Sequence, residues 1–241
     1  MDKFSSQVQA GKVAASIHQA VSQILKVDTN LLEIENLVIK KIASAGMTAS
    51  FKGYRNYPAS SCICINNEVV HGIPRDYTIK DGDVVTVDFG VTCNGFMVDT
   101  ARTYLIGNVS DQIKKLHQTT QVALDRAIDQ VKVGQKTGTL GEIIQSTVEN
   151  AGFNIIEDLT GHGVGETLQE KPTIYNYGTK GKGETLKLGD AIAIEPITSI
   201  KKTEIFLESD GWMIMPKADT ITMQIEDTVY IGQDGPIILT R

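Results

Sequence analysis

Four acidic residues and one histidine are the side chains of this sequence whose types and spacing point to chemistry: Asp88, Asp99, His162, Glu195 and Glu226. Asp88 and Asp99 stand on either side of Asn94-Gly95, a dipeptide typical of a hairpin turn. Antiparallel pairing around that turn would bring the two carboxylates roughly opposite each other, where they would repel unless a cation lies between them. An isolated pair of this kind is more often two surface acids at strand ends.

The surroundings of this pair recur in the second half of the chain. Residues 80–88 (Lys-Asp-Gly-Asp-Val-Val-Thr-Val-Asp) return as residues 187–195 (Lys-Leu-Gly-Asp-Ala-Ile-Ala-Ile-Glu), so each copy reads as a turn, a buried strand and a carboxylate. The matching upstream pairs are His71-Gly72 and His162-Gly163, and the matching downstream acids are Asp99 and Glu226. Two copies predict a pseudo-twofold pair of half-domains that share one site.

The second-half acids read as buried residues that need a partner. Glu195 ends an apolar strand just before Pro196, and Glu226 lies in a β-rich segment with apolar neighbours. No Lys or Arg stands in either local run to neutralise them. Four acids with one imidazole form an oxygen and nitrogen set suited to divalent Mn, Fe, Co or Zn. The preferred interpretation is two divalent ions with a water between them.

Residue type alone does not distinguish a ligand histidine from a structural one. A lone histidine is more often a hydrogen-bonded structural residue than a ligand. His162 is expected in a loop, where its flanking glycines would allow close backbone approach to a bound group. His71 is the corresponding residue of the first half, and a metal shell needs one of the two, so the other is free to face a substrate.

Composition and competing motifs exclude several other classes. The net charge of −6, without a block of basic residues, gives no footprint for nucleic acid, and no apolar run approaches a membrane span. Three cysteines are too few for a disulfide framework, which predicts the reducing cytoplasm. The Gly-x-Gly-x-Gly run at 161–165 lacks the strand–loop–helix setting of a dinucleotide site. Cys62 and Cys64 are too close together for usual zinc spacing and are assigned to the core or a pocket.

Hydrophobic periodicity places two helices before the strands of each half. The predicted helices cover 5–26, from 28 or 29 to 46, 111–131 (with Ser110 as N-cap) and 139–150; strands are predicted at 83–91 and 96–106, with further short strands in 190–241. This order predicts an α+β fold with helices outside and a curved, mostly antiparallel sheet inside. We expect one domain over 1–241, made of half-repeats of roughly 1–108 and 109–241.

These residues together resemble the type I methionine aminopeptidases, metallopeptidases of the pita-bread fold, over nearly all of the 241 residues. The likeness rests on 67–74 (Asn-Glu-Val-Val-His-Gly-Ile-Pro), Gly82-Asp83 with Asp88, Gly95 with Asp99-Thr100, 160–165 (Thr-Gly-His-Gly-Val-Gly), 193–196 (Ala-Ile-Glu-Pro) and 224–226 (Gln-Ile-Glu). It implies that the metal ligands are Asp88, Asp99, His162, Glu195 and Glu226, the set already reached from the repeat.

The resemblance also implies roles around the metal centre. His71 would contact the scissile peptide, and we expect Glu195 to move a proton to the leaving amine. The implied pocket for a methionine side chain consists of Phe51, Tyr54, Tyr57, Cys62, Leu168 and Trp212. An apolar slot with aromatic walls and a neighbouring sulfur suits a thioether.

Two positions depart from the family pattern. Gln169 stands where the family has a second histidine, which is held to hydrogen-bond the substrate carbonyl and the developing oxyanion. A glutamine amide can donate a hydrogen bond but can never be an imidazolium, so the departure bears on catalytic efficiency. Asp227 follows the last ligand where the family usually has histidine, which bears on metal preference.

The resemblance implies a dinuclear metallo-exopeptidase that removes the amino-terminal methionine from nascent proteins whose second residue is small. We expect a cytoplasmic monomer that uses two divalent ions of Co, Mn, Fe or Zn, with nascent polypeptides as substrates and the ribosome as a candidate partner. Nucleic acid and membrane are not expected as partners. The alternatives are an Xaa-Pro-type aminopeptidase, a specialised paralogue of low activity, and a non-catalytic binding module of the same fold.

Overall fold

The computed structural model of the protein describes residues 2–241, in which four α-helices flank the β-strands. The helices are α1 (Lys3–Ile24), α2 (Leu31–Ser44), α3 (Asp111–Ile128) and α4 (Thr137–Asn150). Ser110 caps α3 by accepting a hydrogen bond from the backbone N–H of Ile113, as predicted. Helix α2 begins slightly later than predicted, because Asn30 rather than residue 28 or 29 forms its capping box with Glu33.

The strands are short except for one long hairpin. They are β1 (Thr48–Ala49), β2 (Cys62–Ile65), β3 (Val84–Cys93), β4 (Phe96–Leu105), β5 (Asn154–Ile155), β6 (Thr160–Gly163), β7 (Glu170–Tyr175), β8 (Ala191–Ile194), β9 (Ile197–Ser199), β10 (Ile205–Leu207), β11 (Ile214–Pro216), β12 (Thr222–Gln224), β13 (Asp227–Gly232) and β14 (Gly235–Ile238). Among the described residues, every ladder between these strands is antiparallel.

Each half of the chain contributes its own sheet. In the first half β3 is flanked by β1 and β2 and forms the long hairpin with β4; the second half has a five-stranded sheet in the order β14-β13-β8-β6-β7. Strands β12, β9 and β5 form a three-stranded sheet, and β10 pairs with β11. The halves meet at a bridge where the N–H of Glu226 donates to the carbonyl of Ala101 over 2.9 Å. The predicted α+β class is confirmed.

Strand alternation decides which side chains face the site. The odd-numbered residues of β3, such as Val87 and Phe89, pack in one apolar cluster with residues of α1 and α2, such as Ile17 of α1. In β8, Ile192 and Ile194 pack in a second apolar cluster with residues of α3 and α4. Because successive side chains point to opposite faces, Asp88 and Glu195 are left on the faces away from the helices.

The repeated phrase adopts the same turn in both halves. The N–H of Lys80 donates to Oδ2 of Asp83 over 2.8 Å, and the N–H of Lys187 donates to Oδ2 of Asp190 over 2.9 Å. The intervening glycine of each copy is left-handed, with φ of 91° and 86°, which is the conformation glycine tolerates best. Strands β3 and β8 begin directly after these two turns and run toward the same region of the molecule.

In the part of the chain described, residues 2–241, none of the helices has both the length and the apolar character needed to cross a bilayer.

Candidate metal centre and substrate pocket

A cavity of about 240 Å³ collects the predicted functional residues of both halves. Its lining includes every predicted ligand and pocket residue: Phe51, Tyr54, Tyr57, Cys62, His71, Asp88, Asp99, His162, Leu168, Gln169, Glu195, Trp212 and Glu226. The acids and His162 are all buried, at 8% relative exposure or less. Side chains separated by more than a hundred residues in sequence therefore share one interior hollow.

The two aspartates of the long hairpin are diagonal neighbours across it, in line with the expectation that they lie roughly opposite each other. Asp88 pairs with Ala101, and Asp99 pairs with Gly90. The two-residue loop at Asn94-Gly95 fixes which residues pair across the hairpin. In this register Asp99 lies two positions before Ala101, the partner of Asp88. Both carboxylates remain on one face of the hairpin, since residues two apart on a strand point the same way.

His162 lies in strand β6, not in a loop as expected. Its neighbours Gly161 and Gly163 also serve a different purpose from the one predicted. A Cβ on Gly161 would collide with the carbonyl oxygen of Ala193 in β8, and a Cβ on Gly163 would collide with that of Lys171 in β7. The glycines thus allow β6 to pack tightly between two strands, and this packing directs the histidine toward the acids.

One ring nitrogen of His162 is fixed and the other faces the carboxylates. The Nδ1–H donates to the carbonyl oxygen of Gly163 over 2.9 Å. Nε2 lies 3.6 Å from Oε1 of Glu195 and 3.7 Å from Oδ2 of Asp99. Burial lowers the pKa of His162, so the imidazole is neutral and Nε2 carries a free lone pair. Metal-binding histidines are commonly held in this way through their other nitrogen.

The four acids carry more negative charge than the protein atoms around them can neutralise. Burial raises the pKa of Asp99 to about 7. Burial also raises the pKa of Asp88, Glu195 and Glu226 well above the usual carboxyl range, and the charge of Asp99 adds to each shift. Oδ1 of Asp88 has no hydrogen-bond partner among residues 2–241. Such a group is costly to bury unless something else meets it.

The donor set fits divalent cations. Ligand atoms of Asp99, His162 and Glu226 all lie within 4.8 Å of one another, and Asp88 contributes the unpartnered oxygen described above. Carboxylate oxygens with one neutral imidazole are the ligands preferred by Mn, Fe, Co and Zn. A bound cation would also remove the repulsion that raises the pKa values of the four acids.

Gln224 is a cavity residue that sequence reasoning missed. Its Nε2 donates to Oε2 of Glu195 over 3.1 Å, and this hydrogen bond lowers the pKa of Glu195, opposing the effect of burial. A signal was present, because Gln224 precedes Glu226 by two positions in a β-rich segment and so points to the same side. The amide leaves Oε1 of Glu195 directed at His162.

The apolar end of the cavity is an aromatic slot. Phe51, Tyr57, Cys62 and Leu168 form a buried cluster. The ring of Trp212 meets Tyr57 edge-on with centroids 5.0 Å apart. The Tyr57 hydroxyl lies 2.9 Å from the carbonyl oxygen of Ser61 and 3.1 Å from that of Gly72, so its proton is directed to the backbone rather than into the slot. Cys62 pairs with Asp88 across β2 and β3, which joins the slot to the acidic centre.

Two polar residues lie at the mouth of the cavity. His71 has a left-handed backbone with φ of 62°, an uncommon conformation for a side chain of this size and one frequent at functional sites. Burial lowers its pKa, so the ring is a neutral hydrogen-bonding group. Gln169 is exposed, and its Oε1 accepts a hydrogen bond from the Tyr54 hydroxyl over 3.4 Å. This contact does not involve the NH₂ group of Gln169.

Comparison with known proteins gives a consistent result over almost the whole chain. A sequence model of metallopeptidase family M24 matches residues 7–233. A methionine aminopeptidase of Clostridium perfringens is 35% identical over 232 residues, which are 96% of this chain and 93% of that protein. Methionine aminopeptidase 1 of Bacillus subtilis is 35% identical over 233 residues, 97% of this chain and 94% of that protein.

The fold agrees with a solved structure of the same kind. The crystal structure of a methionine aminopeptidase from Thermotoga maritima matches with a TM-score of 0.97 at 35% identity, covering 99% of this chain and 96% of that chain. The expected pita-bread architecture is therefore confirmed. Since the family model and these relatives extend over nearly the full length, this chain belongs to metallopeptidase family M24.

Proposed function

We propose that this chain is a methionyl aminopeptidase that removes the amino-terminal methionine from polypeptides whose second residue is small. The observation that carries the proposal is one cavity with a buried acidic centre at one end and an aromatic slot beside it. Relatives named methionine aminopeptidase over almost the full length support the same activity. Asp88, Asp99, His162, Glu195 and Glu226 would hold two divalent ions, drawn from Co, Mn, Fe and Zn.

The chemistry divides between the ions and the side chains. Divalent ions bound at this centre would polarise the scissile carbonyl and make a water nucleophilic near neutral pH. Glu195 takes a proton from the attacking water and delivers it to the leaving amine. Its Oε1 lies 3.6 Å from Nε2 of His162, on the side where the water would be held. Gln224 keeps the Glu195 carboxylate in orientation through its hydrogen bond.

The mouth residues steady the substrate amide. His71, neutral because burial lowers its pKa, donates to the scissile peptide. Gln169 donates through its NH₂ to the substrate carbonyl and the developing oxyanion, in place of an imidazole. Preformed donors of this kind strengthen interactions made only in the transition state.

The slot selects the first side chain. A methionine thioether packs against the rings of Phe51, Tyr57 and Trp212, and polarisable sulfur makes favourable contacts with aromatic edges. Divalent ions held beside the slot would bind the free amino terminus of the substrate, which would account for exopeptidase action. The limited volume of the cavity, about 240 Å³, favours a small second residue.

We infer one catalytic domain over 1–241, because neither half holds the complete acid set and the halves are joined by backbone hydrogen bonds between Ala101 and Glu226. The enzyme would act as a cytoplasmic monomer on nascent polypeptides, with the ribosome as a candidate partner.

The test is release of methionine from a Met-Ala-Ser peptide by protein supplied with Mn(II) or Co(II), before and after a chelator. We expect release that the chelator abolishes and the metal restores, and that Asp99→Asn strongly reduces. Release indifferent to the chelator would overturn the metal-dependent mechanism. Cleavage of Xaa-Pro peptides without cleavage of methionyl peptides would instead assign the chain to the proline-directed enzymes, and no cleavage of either would favour the binding module.

A further inference from the structure

The side chain after the last proposed ligand, Asp227, belongs to a second charged cluster on the opposite face of the strand from the cavity. Asp227 is fully buried, at 0% exposure. Arg102 Nη2 lies 2.6 Å from its Oδ1, and Arg241 Nε lies 2.7 Å from its Oδ2. The hydroxyl of Thr240 also donates to Oδ1, over 2.7 Å. At the position where the family usually has histidine, this chain therefore has a carboxylate, and each of its two oxygens is paired with an arginine.

Arg102 does more than neutralise Asp227. Its Nη1 donates to the carbonyl oxygens of Ala101, over 2.9 Å, and of Glu226. Its Nη2 also donates to the carbonyl of Thr240, over 3.2 Å. One planar guanidinium thus joins β4, the entry to β13 and the segment after β14, using the several fixed donors that distinguish arginine from lysine.

Two of the three segments that Arg102 joins carry proposed ligands, one from each half of the chain. Asp99 stands in β4, and Glu226 precedes β13. Thr100 Oγ1 donates to the carbonyl of Glu226 over 3.0 Å, and Thr228 Oγ1 donates to the carbonyl of Asp99 over 2.7 Å. These two hydrogen bonds and the carbonyl contacts of Arg102 hold together the backbone segments that carry the two carboxylates.

We propose that Arg102, Asp227 and Arg241 form a positioning cluster that fixes the spacing of Asp99 and Glu226 and thereby sets the affinity of the centre for divalent metal. Arg102 is its central member, and Arg241 anchors the far side through Asp227 and through Asp125 of α3, at 2.6 Å. The inference rests on the proposed function, because it takes Asp99 and Glu226 as ligands. Groups that orient metal ligands typically change metal affinity by about 10–100-fold when they are removed.

The experiment measures Mn(II) binding to the metal-free protein by titration calorimetry, with the midpoint of thermal unfolding recorded in parallel. We expect Arg102→Gln to weaken Mn(II) binding by about 10–100-fold, Arg102→Lys to recover part of the loss, and Arg241→Gln to weaken binding several-fold. Arg126→Gln is the matched control, because Arg126 is an exposed residue of α3 whose guanidinium contacts the Thr147 hydroxyl at 3.4 Å; it should leave the Mn(II) dissociation constant unchanged.

Each result decides between a positioning role and a purely structural one. If Arg102→Gln lowers the unfolding midpoint but binds Mn(II) as tightly as the wild type, the cluster only stabilises the fold and the inference is wrong. If Arg102→Gln does not fold, Arg241→Gln decides by the same criterion, since Arg241 is partly exposed. Failure of the wild-type protein to bind Mn(II) at all would count against the proposed function rather than against the cluster.

Discussion

Gln224 and Glu195 lie 29 positions apart, and the amide nitrogen of the first donates to Oε2 of the second over 3.1 Å inside the cavity. The hydrogen bond lowers the pKa of Glu195 against the effect of burial. Gln224 therefore favours the ionised carboxylate that a cation needs, and it fixes which oxygen faces His162.

We expect Gln224→Leu to weaken Mn(II) binding by about 10–100-fold, the usual effect of removing a group that orients a metal ligand. Loss of the donor raises the pKa of Glu195, so the pH at which binding is half-maximal should move upward. Calorimetric titration at several pH values measures both quantities. Gln145→Leu is the control, because Gln145 donates to Glu149 on the exposed side of α4. Equal affinity and an unshifted pH curve in Gln224→Leu would show that the hydrogen bond has no part in metal binding.

Replacing the exposed glutamine at the mouth tests whether it is a weakened oxyanion donor. Gln169→His should raise kcat on a Met-Ala-Ser peptide, because an imidazole can donate as a cation to the developing negative charge. Gln169→Ala should lower kcat, by less than the order of 10²–10³-fold seen when a buried oxyanion donor is lost. A kcat in Gln169→His equal to or below that of the wild type would contradict this role for position 169.

Features of the site that depend on neighbouring residues in the sequence could be predicted, and features that depend on contacts between distant segments could not. The repeated turn, the hairpin at Asn94-Gly95 and the cap at Ser110 are local, so residue type alone placed them. The exact register, in which Asp99 lies two positions from the partner of Asp88, could not be predicted, because the match of Cys93 with Phe96 across the loop decides it. Even so, the two-residue periodicity of the strand kept both acids on the correct face.

The errors and omissions concern contacts between segments distant in sequence. His162 was expected in a loop because its flanking glycines weaken any strand signal, and only the packing of β6 between β7 and β8 shows why glycine is required there. Gln224 was missed because its partner, Glu195, is remote in sequence. The arginines around Asp227 come from β4 and from residue 241, so no local pattern links them.

The aromatic slot predicts a specific loss of substrate binding in Trp212→Ala. Trp212 is half-buried and meets Tyr57 edge-on, so its removal opens the slot with little effect on the core. We expect KM for Met-Ala-Ser to rise by about tenfold or more, since losing one good apolar contact already costs roughly that factor, while kcat changes less. Phe206→Ala is the control, because Phe206 is an aromatic residue at 41% exposure that does not line the cavity. Equal KM values in the two variants would place the methionine side chain elsewhere.

The four buried acids predict that the metal-free protein becomes less stable as pH rises from about 5 to 7. Burial raises the pKa of Asp99 to about 7 and raises the pKa of Asp88, Glu195 and Glu226 well above the usual carboxyl range. In the unfolded chain these groups titrate near their ordinary values of about 4. The native state therefore binds more protons than the unfolded state, and its stability is lost as pH rises through the native pKa values, at up to about 1.4 kcal/mol per pH unit for each group.

Comparison of the wild type with Asp99→Asn from pH 5 to 7 isolates this effect, because the histidines titrate in both proteins. We expect the free energy of unfolding of the metal-free protein, measured with urea, to fall across this window. Asp99→Asn should flatten the fall, since it removes one titrating group and one repelling charge. Saturating Mn(II) should abolish the fall, because the cation takes over the role of the protons. If the stability of the wild type changed from pH 5 to 7 in the same way as that of Asp99→Asn, Asp99 would already be ionised and compensated in the fold, and the electrostatic case for a cation at this centre would be lost.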